Sequence, residues 1–217
     1  MYYPMYYYMD PTYLLVLAGV VICMLASLKM KSTFRKYSHV RNHSGITGRE
    51  AAEQILRRAG IYDVRVEHVP GNLTDHYDPR SKVLRLSDAT YQTSSVAALG
   101  VAAHECGHAI QDDRSYAPLR IRNSLVPIAN IGTQAAWPII LVGLVFASSN
   151  FLVNLGILLF SLGVLFQLVT LPVEFDASGR AIRILSDSGI LYEEEIKQTR
   201  KVLGAAAMTY VAAAAAS

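Results

Sequence analysis

The chain has 217 residues, of which 52% are apolar and only 17% are charged, against about 25% charged in a typical soluble domain. This composition indicates a membrane protein, and the formal net charge of +3 is too small to predict nucleic acid as a partner. With only two cysteines, Cys23 and Cys106, the sequence excludes a small secreted fold held by disulfides.

The first predicted element is a transmembrane helix within residues 1–30. An aromatic segment leads into the apolar run YLLVLAGVVICMLASL, residues 13–28. These residues fall slightly short of a hydrocarbon core about 30 Å thick, but the flanking tyrosines and Met30 extend the segment into the interfaces. A cleaved signal peptide is the alternative, which the sequence disfavours because the basic residues follow the apolar run.

A soluble-looking region follows, with the predicted order helix, strand, strand, helix. Thr47 and Glu50 have the spacing of a capping box, and Gly60 is expected to end the helix that they begin. Residues 64–69 and 82–87 have the pattern of short strands, and the turn-rich stretch PGNLTDHYDPRS separates them.

The second helix of this region, SSVAALGVAAHECGHAIQ at 94–111, contains an H-E-x-x-H motif. His104 and His108 are one turn apart on one face, so both rings can converge on one tetrahedral ion. Zinc held in this way lowers the pKa of a bound water to about 7, and Glu105 can pass its proton to a leaving amine. The motif therefore predicts amide hydrolysis. The alternative is a pair of core histidines with satisfied hydrogen bonds.

Two further apolar runs, residues 125–147 and 151–171, lie back to back and predict a transmembrane hairpin. The apolar tail, residues 202–217, is a candidate for the start of a fourth span. Basic residues flank all three runs on one side, which the positive-inside rule assigns to the cytoplasm. They are Lys29, Lys31, Arg35, Lys36, Arg41, Arg114, Arg120, Arg122, Arg180 and Arg183.

A catalytic zinc ion of this type needs a third protein ligand, and the candidates on the cytoplasmic side are acidic. Asp112 and Asp113 end the histidine helix and lie too close in sequence to fold back onto it. Residues 193–195 have the pattern of a solvated helix start, and Asp176 stays open. Topology favours Glu174, because it directly follows the third span and the hairpin returns the chain near its starting point.

Three stretches, GNLTDHYDPRSKVLRLS, SSVAALGVAAHECGHAIQ and LPVEFDAS, together resemble the YugP-type membrane neutral zinc metallopeptidases of bacteria. The resemblance covers nearly the whole chain, and the arrangement is also similar to the HtpX-like and CAAX-prenyl-processing membrane peptidases. It implies that Glu174 is the third zinc ligand. Those wider relatives carry Glu-x-x-x-Asp, whereas this chain has Ser178 at the fourth position, so Ser178 and Asp176 are the candidates for the supporting role.

In gluzincin-type folds, an edge strand before the zinc helix pairs with extended substrate, and the resemblance gives this place to residues 82–87. An ordinary structural edge strand is the alternative. The transition-state oxyanion also needs a donor besides zinc. His76 and Tyr77 are the candidates, with Arg180 and Arg183 behind them, and turn chemistry or interface charge is the alternative for each.

The sequence thus predicts a mainly α membrane protein with a small α+β zincin-like (gluzincin) catalytic domain, three transmembrane helices and a candidate fourth. The predicted divisions are the aromatic segment with the first span (1–30), the catalytic region (31–123), the hairpin (124–172), a cytoplasmic segment with the third ligand (173–201) and the tail (202–217).

The predicted function is that of a multi-pass zinc metalloendopeptidase of the cell membrane, with Zn²⁺ as cofactor and its active site on the cytoplasmic face. The expected partners are an unfolded or membrane-associated protein or peptide substrate, the lipid bilayer, and a second copy or another membrane protein, without nucleic acid. The competing prediction is a metal-stabilised membrane scaffold that presents substrates to another protease.

Overall fold

The computed structural model describes residues 11–147 and 150–217, which form a mainly helical protein with one small sheet. The predicted aromatic segment, residues 1–10, and residues 148–149 of the hairpin loop lie outside the described residues. The helices are α1 (Pro11–Ser38), α2 (Gly48–Arg58), α3 (Val96–Asp113), α4 (Ala117–Val142), α5 (Asn150–Asp187) and α6 (Glu193–Ala216). The strands are β1 (Arg65–His68), β2 (His76–Asp78) and β3 (Val83–Leu86), and a π-helical turn, Gly143–Ala147, follows α4.

Within the described residues, three helical stretches are long and apolar enough to cross a membrane. They are Thr12–Ser38, Ala117–Val145 and Asn150–Asp187, and they contain the three predicted apolar runs except for residues 146–147. Large apolar side chains of α1 such as Leu15 and Leu17 are exposed, as contact with lipid requires. Helices α4 and α5 pack along each other as the predicted hairpin.

Helix α5 continues well beyond the apolar run that predicts the third span. Pro172 lies inside the helix without ending it, and the helix runs on to Asp187. The predicted division between 172 and 173 therefore coincides with no break in the chain, and Glu174 stands on the same continuous helix as the span.

The apolar tail belongs to α6, which is not among the three stretches above. This helix runs antiparallel to α1 and packs along it: a Cβ at Gly19 would lie 3.2 Å from the Cβ of Ala216, while Tyr37 packs with Val202. The C-terminal half of α6 therefore packs against the apolar part of α1.

Helix α2 begins and ends as predicted. The Thr47 hydroxyl accepts a hydrogen bond from the Glu50 backbone N–H, and the Glu50 carboxylate accepts one from the Thr47 backbone N–H. Gly60, with a φ of +80°, follows the last residues of the helix and turns the chain away. The buried side of α2, including Ile55, packs in one core with Cys106 of α3.

The sheet corrects the prediction for residues 82–87. Its order is β1-β3-β2, so β3 is the central strand, parallel to β1 and antiparallel to β2. A central strand has no open edge, so the prediction that 82–87 is an edge strand is wrong. The stretch that reads as turns contains β2, a three-residue strand that pairs with Val83–Arg85 and occupies that edge.

Candidate metal centre

Helix α3 carries both histidines of the motif and begins at a serine, as predicted. The Ser95 hydroxyl accepts a hydrogen bond from the Ala98 backbone N–H and caps the helix. The rings of His104 and His108 meet edge to face, with centroids 4.8 Å apart. Their side chains are only 16% and 10% exposed, so the helix presents both imidazoles to one recess inside the protein.

Helix α5 approaches α3 closely because Gly107, inside the motif, has no side chain. A Cβ at this position would lie only 2.7 Å from the backbone carbonyl oxygen of Ala177. One helical turn before Ala177 on the same face of α5 stands Glu174. The contact at Gly107 therefore sets the distance at which the carboxylate of Glu174 meets the two histidines.

Glu174 forms a buried triad with the histidines. Its Oε2 lies 3.3 Å from Nε2 of His104, and its Oε1 lies 3.7 Å from Nε2 of His108. One ligand atom from each of the three residues lies within 4.8 Å of the others. Glu174 is 3% exposed, and within the described residues its Oε2 has no hydrogen-bond partner. A buried carboxylate that faces two ring nitrogens, and has one oxygen without a hydrogen bond, is what a bound cation would satisfy.

The donor set fits zinc. Two imidazole nitrogens and one carboxylate are a common set of protein ligands for a catalytic zinc ion, which keeps a fourth position open. Burial opposes a charge on His108, but the nearby carboxylates of Glu174 and Glu105 outweigh it and raise the pKa of the imidazole. Glu105 is buried and lines the same recess without belonging to the triad.

His108 is held by a chain of hydrogen bonds that ends on α5. Its Nδ1 donates to Oε1 of Gln111 at 3.0 Å, and Nε2 of Gln111 donates to the Val173 carbonyl and to Oδ2 of Asp176. The same Asp176 oxygen accepts a hydrogen bond from Arg180. This chain fixes the proton on Nδ1 and leaves Nε2 of His108 available as a ligand.

On the other side of its ring, Nδ1 of His104 has the Ser178 hydroxyl as its partner, with the Oγ 3.1 Å away. Ser178 is the residue at the fourth position after Glu174, where the wider relatives carry aspartate. The structure thus brings Ser178 to one histidine directly and Asp176 to the other through Gln111. Gln111 was missed by the sequence analysis, although its place three residues after His108 puts it on the same face of α3.

The structure places His76 and Tyr77 on β2, where both line a cavity with the triad, but their polar atoms are engaged elsewhere. Nδ1 of His76 donates to the Thr74 carbonyl, and Arg85 donates to its Nε2 at 3.4 Å. The Tyr77 hydroxyl donates to Asp112 at 2.9 Å. Burial, together with this hydrogen bond, raises the pKa of Tyr77.

The recess also contains polar side chains that the sequence did not predict there. Arg122 of α4 lines the cavity with Asn123, and its Nη1 lies 4.0 Å from Oε1 of Glu174. Within the described residues its buried Nε has no hydrogen-bond partner. Tyr210 of α6 lines the same cavity, from the tail that reads as purely apolar. No local pattern signals Tyr210, because only the packing of α6 brings it there.

The remaining acidic candidates lie away from the triad. Asp112 accepts hydrogen bonds from Tyr77 and from Lys82. Glu193 stands exposed at the start of α6, as predicted, and Glu195 caps that helix through the Tyr192 backbone N–H.

Comparison with known proteins gives two matches. A family described as "Putative neutral zinc metallopeptidase" matches residues 12–217. A protein of Bacillus subtilis (strain 168), named "Putative membrane protease YugP", is 48% identical over 203 residues, which cover 94% of this chain and 90% of that protein. No solved structure matches the chain.

Proposed function

The chain belongs to the family of neutral zinc metallopeptidases, and from this premise we propose that it is an integral membrane zinc metalloendopeptidase. The observation that carries the proposal is the buried triad of His104, His108 and Glu174, with Glu105 beside it on the next position of α3. Zinc bound there would polarise a peptide carbonyl and lower the pKa of a water molecule, so that the water could give up a proton and attack the carbonyl carbon at neutral pH.

Glu105 is the general base and acid in this proposal. Its carboxylate takes the proton from the attacking water and passes it to the nitrogen of the leaving amine. A carboxylate suits this role because it lies within reach of the triad without being bound by it. The role needs no other titratable group, and it explains why the motif has a glutamate between two ligands.

Arg122 and Tyr210 are the proposed donors to the oxyanion. Both line the recess, and Arg122 already has a buried donor without a partner. They replace His76 and Tyr77 in this role, because the polar atoms of those two side chains are committed to Thr74, Arg85 and Asp112.

Extended substrate would pair with β2. This strand has β3 on one side only, and its residues line the cavity that contains the triad. Pairing through the backbone would select for an unfolded or extended chain with little dependence on its side chains. The zincin-like arrangement of the sequence analysis is thereby kept, with β2 in the place given to 82–87.

The proposed location is the cytoplasmic surface of the cell membrane, with a multi-pass topology. Three membrane-length helices support it, and basic residues lie towards the C-terminal ends of α1 and α5 and around the start of α4. Glu174 stands three residues after the third apolar run. The triad is therefore close to the membrane surface, where membrane-associated substrates would reach it.

Substitution of Glu105 tests the proposal. The Glu105→Gln protein, purified in detergent, should keep equimolar zinc and lose turnover of an unfolded protein such as casein by at least about 10³-fold, since the proton carrier is gone. Zinc is measured by mass spectrometry, and turnover by release of labelled peptides.

Glu193→Gln, an exposed glutamate at the start of α6, is the matched control and should cleave normally. Undiminished cleavage by Glu105→Gln would refute the mechanism. A wild-type protein that holds zinc but cleaves no substrate would favour the scaffold alternative.

A further inference from the structure

Two cavities of about 190 Å³ each meet at the triad, and they differ in chemistry. His104, Glu105 and Glu174 line both. The first, here called the polar cavity, also has His76, Arg122 and Asn123 in its wall. The second, here called the apolar cavity, is bounded by Met30, Leu73, Val101, Leu203, Ala206 and Ala207. The triad therefore has a mainly polar cavity on one side and a more apolar cavity on the other.

We propose that the apolar cavity is the subsite for a large aliphatic or aromatic side chain of the substrate, next to the scissile bond, and that Ala206 sets its depth. The inference rests on the proposed peptidase function, because the cavity opens onto His104 and Glu174 of the triad and onto Glu105. The apolar cavity would give the site a preference for certain substrate side chains. Backbone pairing with β2 alone would distinguish little between them.

The size and lining of the apolar cavity fit such a side chain. An apolar protein cavity of about 150 Å³ is enough to bind benzene. Away from the triad, α1, α3 and α6 line this cavity with apolar side chains. Ser178 and Thr209 also line it, but their hydroxyls are engaged with His104 and with the Ala206 carbonyl oxygen. Asp75, which also lines it, is engaged with Ser87 through both carboxylate oxygens. An apolar group that enters this space leaves water without stripping a polar group of its partner.

Leu73 is an independent sign that the wall is built for a ligand. Its φ is +58°, in the left-handed region that disfavours a leucine, and its side chain is still 38% exposed at the cavity. A strained backbone that holds a large apolar side chain partly in solvent is kept where that side chain has something to contact. The apolar side chain of a bound substrate supplies the contact.

The position of Met30 on α1 indicates which substrates would reach the apolar cavity. This residue comes two positions after the apolar run 13–28 of α1, so the cavity opens where the proposed first span leaves the membrane. Transmembrane segments are rich in Leu, Ile, Phe and Val, and their ends at the membrane surface are rich in Trp and Tyr. A subsite at this level therefore favours cleavage of chains that emerge from the bilayer.

Two neighbouring alanines allow a matched test. Ala206 lines the apolar cavity, whereas Ala205 lines a separate groove between α1 and α6. Leucine at 206 would fill the cavity, and leucine at 205 adds the same atoms to the same helix without reaching the site. Leu73→Ala is a second variant, on a loop, that removes part of the wall without a change in a helix.

The experiment measures peptide binding to full-length, zinc-loaded protein that carries Glu105→Gln, so that bound peptide stays intact. The probes are a fluorescent alanine-based peptide with a single central leucine and its counterpart with alanine there. We expect the leucine peptide to bind more tightly by on the order of tenfold. Ala206→Leu should abolish this preference, Leu73→Ala should reduce it, and Ala205→Leu should keep it.

Equal affinities for the two peptides, or the same loss of preference in the 205 and 206 variants, would overturn the subsite. Zinc content and melting temperature, measured on every variant, show that each one is folded and loaded. If the Glu105→Gln protein binds the leucine peptide selectively but the wild-type protein cleaves neither peptide, the subsite is supported and only the peptidase function is refuted. Failure of the subsite and failure of the peptidase function can therefore be told apart.

Discussion

The two histidines of the candidate metal centre belong to the same helix and the same motif, yet their Nδ1 atoms are held in different ways. Nδ1 of His104 has a neutral partner, the hydroxyl of the partly exposed Ser178. His108 is tied through the fully buried Gln111 to the carboxylate of Asp176 and to the backbone of α5.

The difference shows how a site can keep one rigid ligand and one adjustable ligand. A buried relay that ends on a carboxylate fixes both the tautomer and the direction of His108. A hydroxyl can rotate, and water can replace it, so His104 keeps more freedom to adjust when the fourth position changes. Glu174 on α5 is the element that both sides share.

The largest effect is expected from the shared element. Glu174→Gln keeps the shape of the side chain but replaces a charged ligand by a neutral amide, so zinc should be lost entirely from the purified protein. Metal analysis after dialysis against a weak chelator measures it, with Glu193→Gln as the control that retains zinc. Equimolar zinc in Glu174→Gln would exclude Glu174 as a ligand. The supports of His104 and His108 would then share no common ligand on α5.

The next effect should come from the distance between α3 and α5, on which both sides depend. Gly107→Ala puts a Cβ 2.7 Å from the Ala177 carbonyl oxygen, so α5 must move away with Glu174, Ser178 and Asp176. We expect zinc affinity to fall by more than about tenfold, and unfolding free energy to fall by about 1–3 kcal/mol.

Gly179→Ala is the matched control, since a Cβ there meets nothing within 4 Å. It should keep zinc affinity and add up to about 1 kcal/mol of stability through helix propensity. Similar zinc affinities in the two variants would mean that the contact between Gly107 and α5 does not determine the geometry of the zinc ligands.

The two supports are separated by Gln111→Leu and Ser178→Ala. Removal of the relay should lower zinc affinity by about 10–100-fold, and removal of the hydroxyl by less than about tenfold, because water can reach His104. Competition with a zinc-sensing dye measures both. The reverse order would show that Ser178, and not the relay, is the stronger support.

The smallest effect is expected at Cys106, which lies between the histidines in sequence but faces α2. Its side chain is buried, and its Sγ lies 3.7 Å from the Ala52 carbonyl oxygen. Burial raises the pKa of the thiol, so it should resist alkylation in the folded protein. Cys106→Ala should cost about 1 kcal/mol of stability and leave zinc content unchanged. Altered zinc content would show that α3 transmits core packing to the ligands.

Local signals account for the parts of this fold that the sequence predicted. The capping box of α2, the serine cap of α3 and the histidine spacing each depend on residues within one or two turns. Glu174 required one further step, the return of the hairpin to the side from which it started. In each case the physical cause lies within a short stretch or a simple topology.

The missed parts depend on contacts between distant segments. Strand β2 is three residues long and is stable only because it pairs with β3, so its turn-forming neighbours hide it. Tyr210 reaches the recess only after α6 has packed on the rest of the protein. Gln111 differs from these, because its spacing from His108 made its role visible in the sequence.

The antiparallel pairing of α6 with α1 bears on how the protein is made. The cavities at the triad are closed partly by Ala206 and Tyr210, and Tyr210 comes 102 positions after His108 in the chain. At a synthesis rate of about 5–20 residues per second, the ribosome needs about 5–20 s to cover that interval. During this time the motif has been synthesised, but the α6 walls of its cavities have not. The newly made chain therefore completes the proposed substrate site only at a late stage of synthesis, long after α1 has been made.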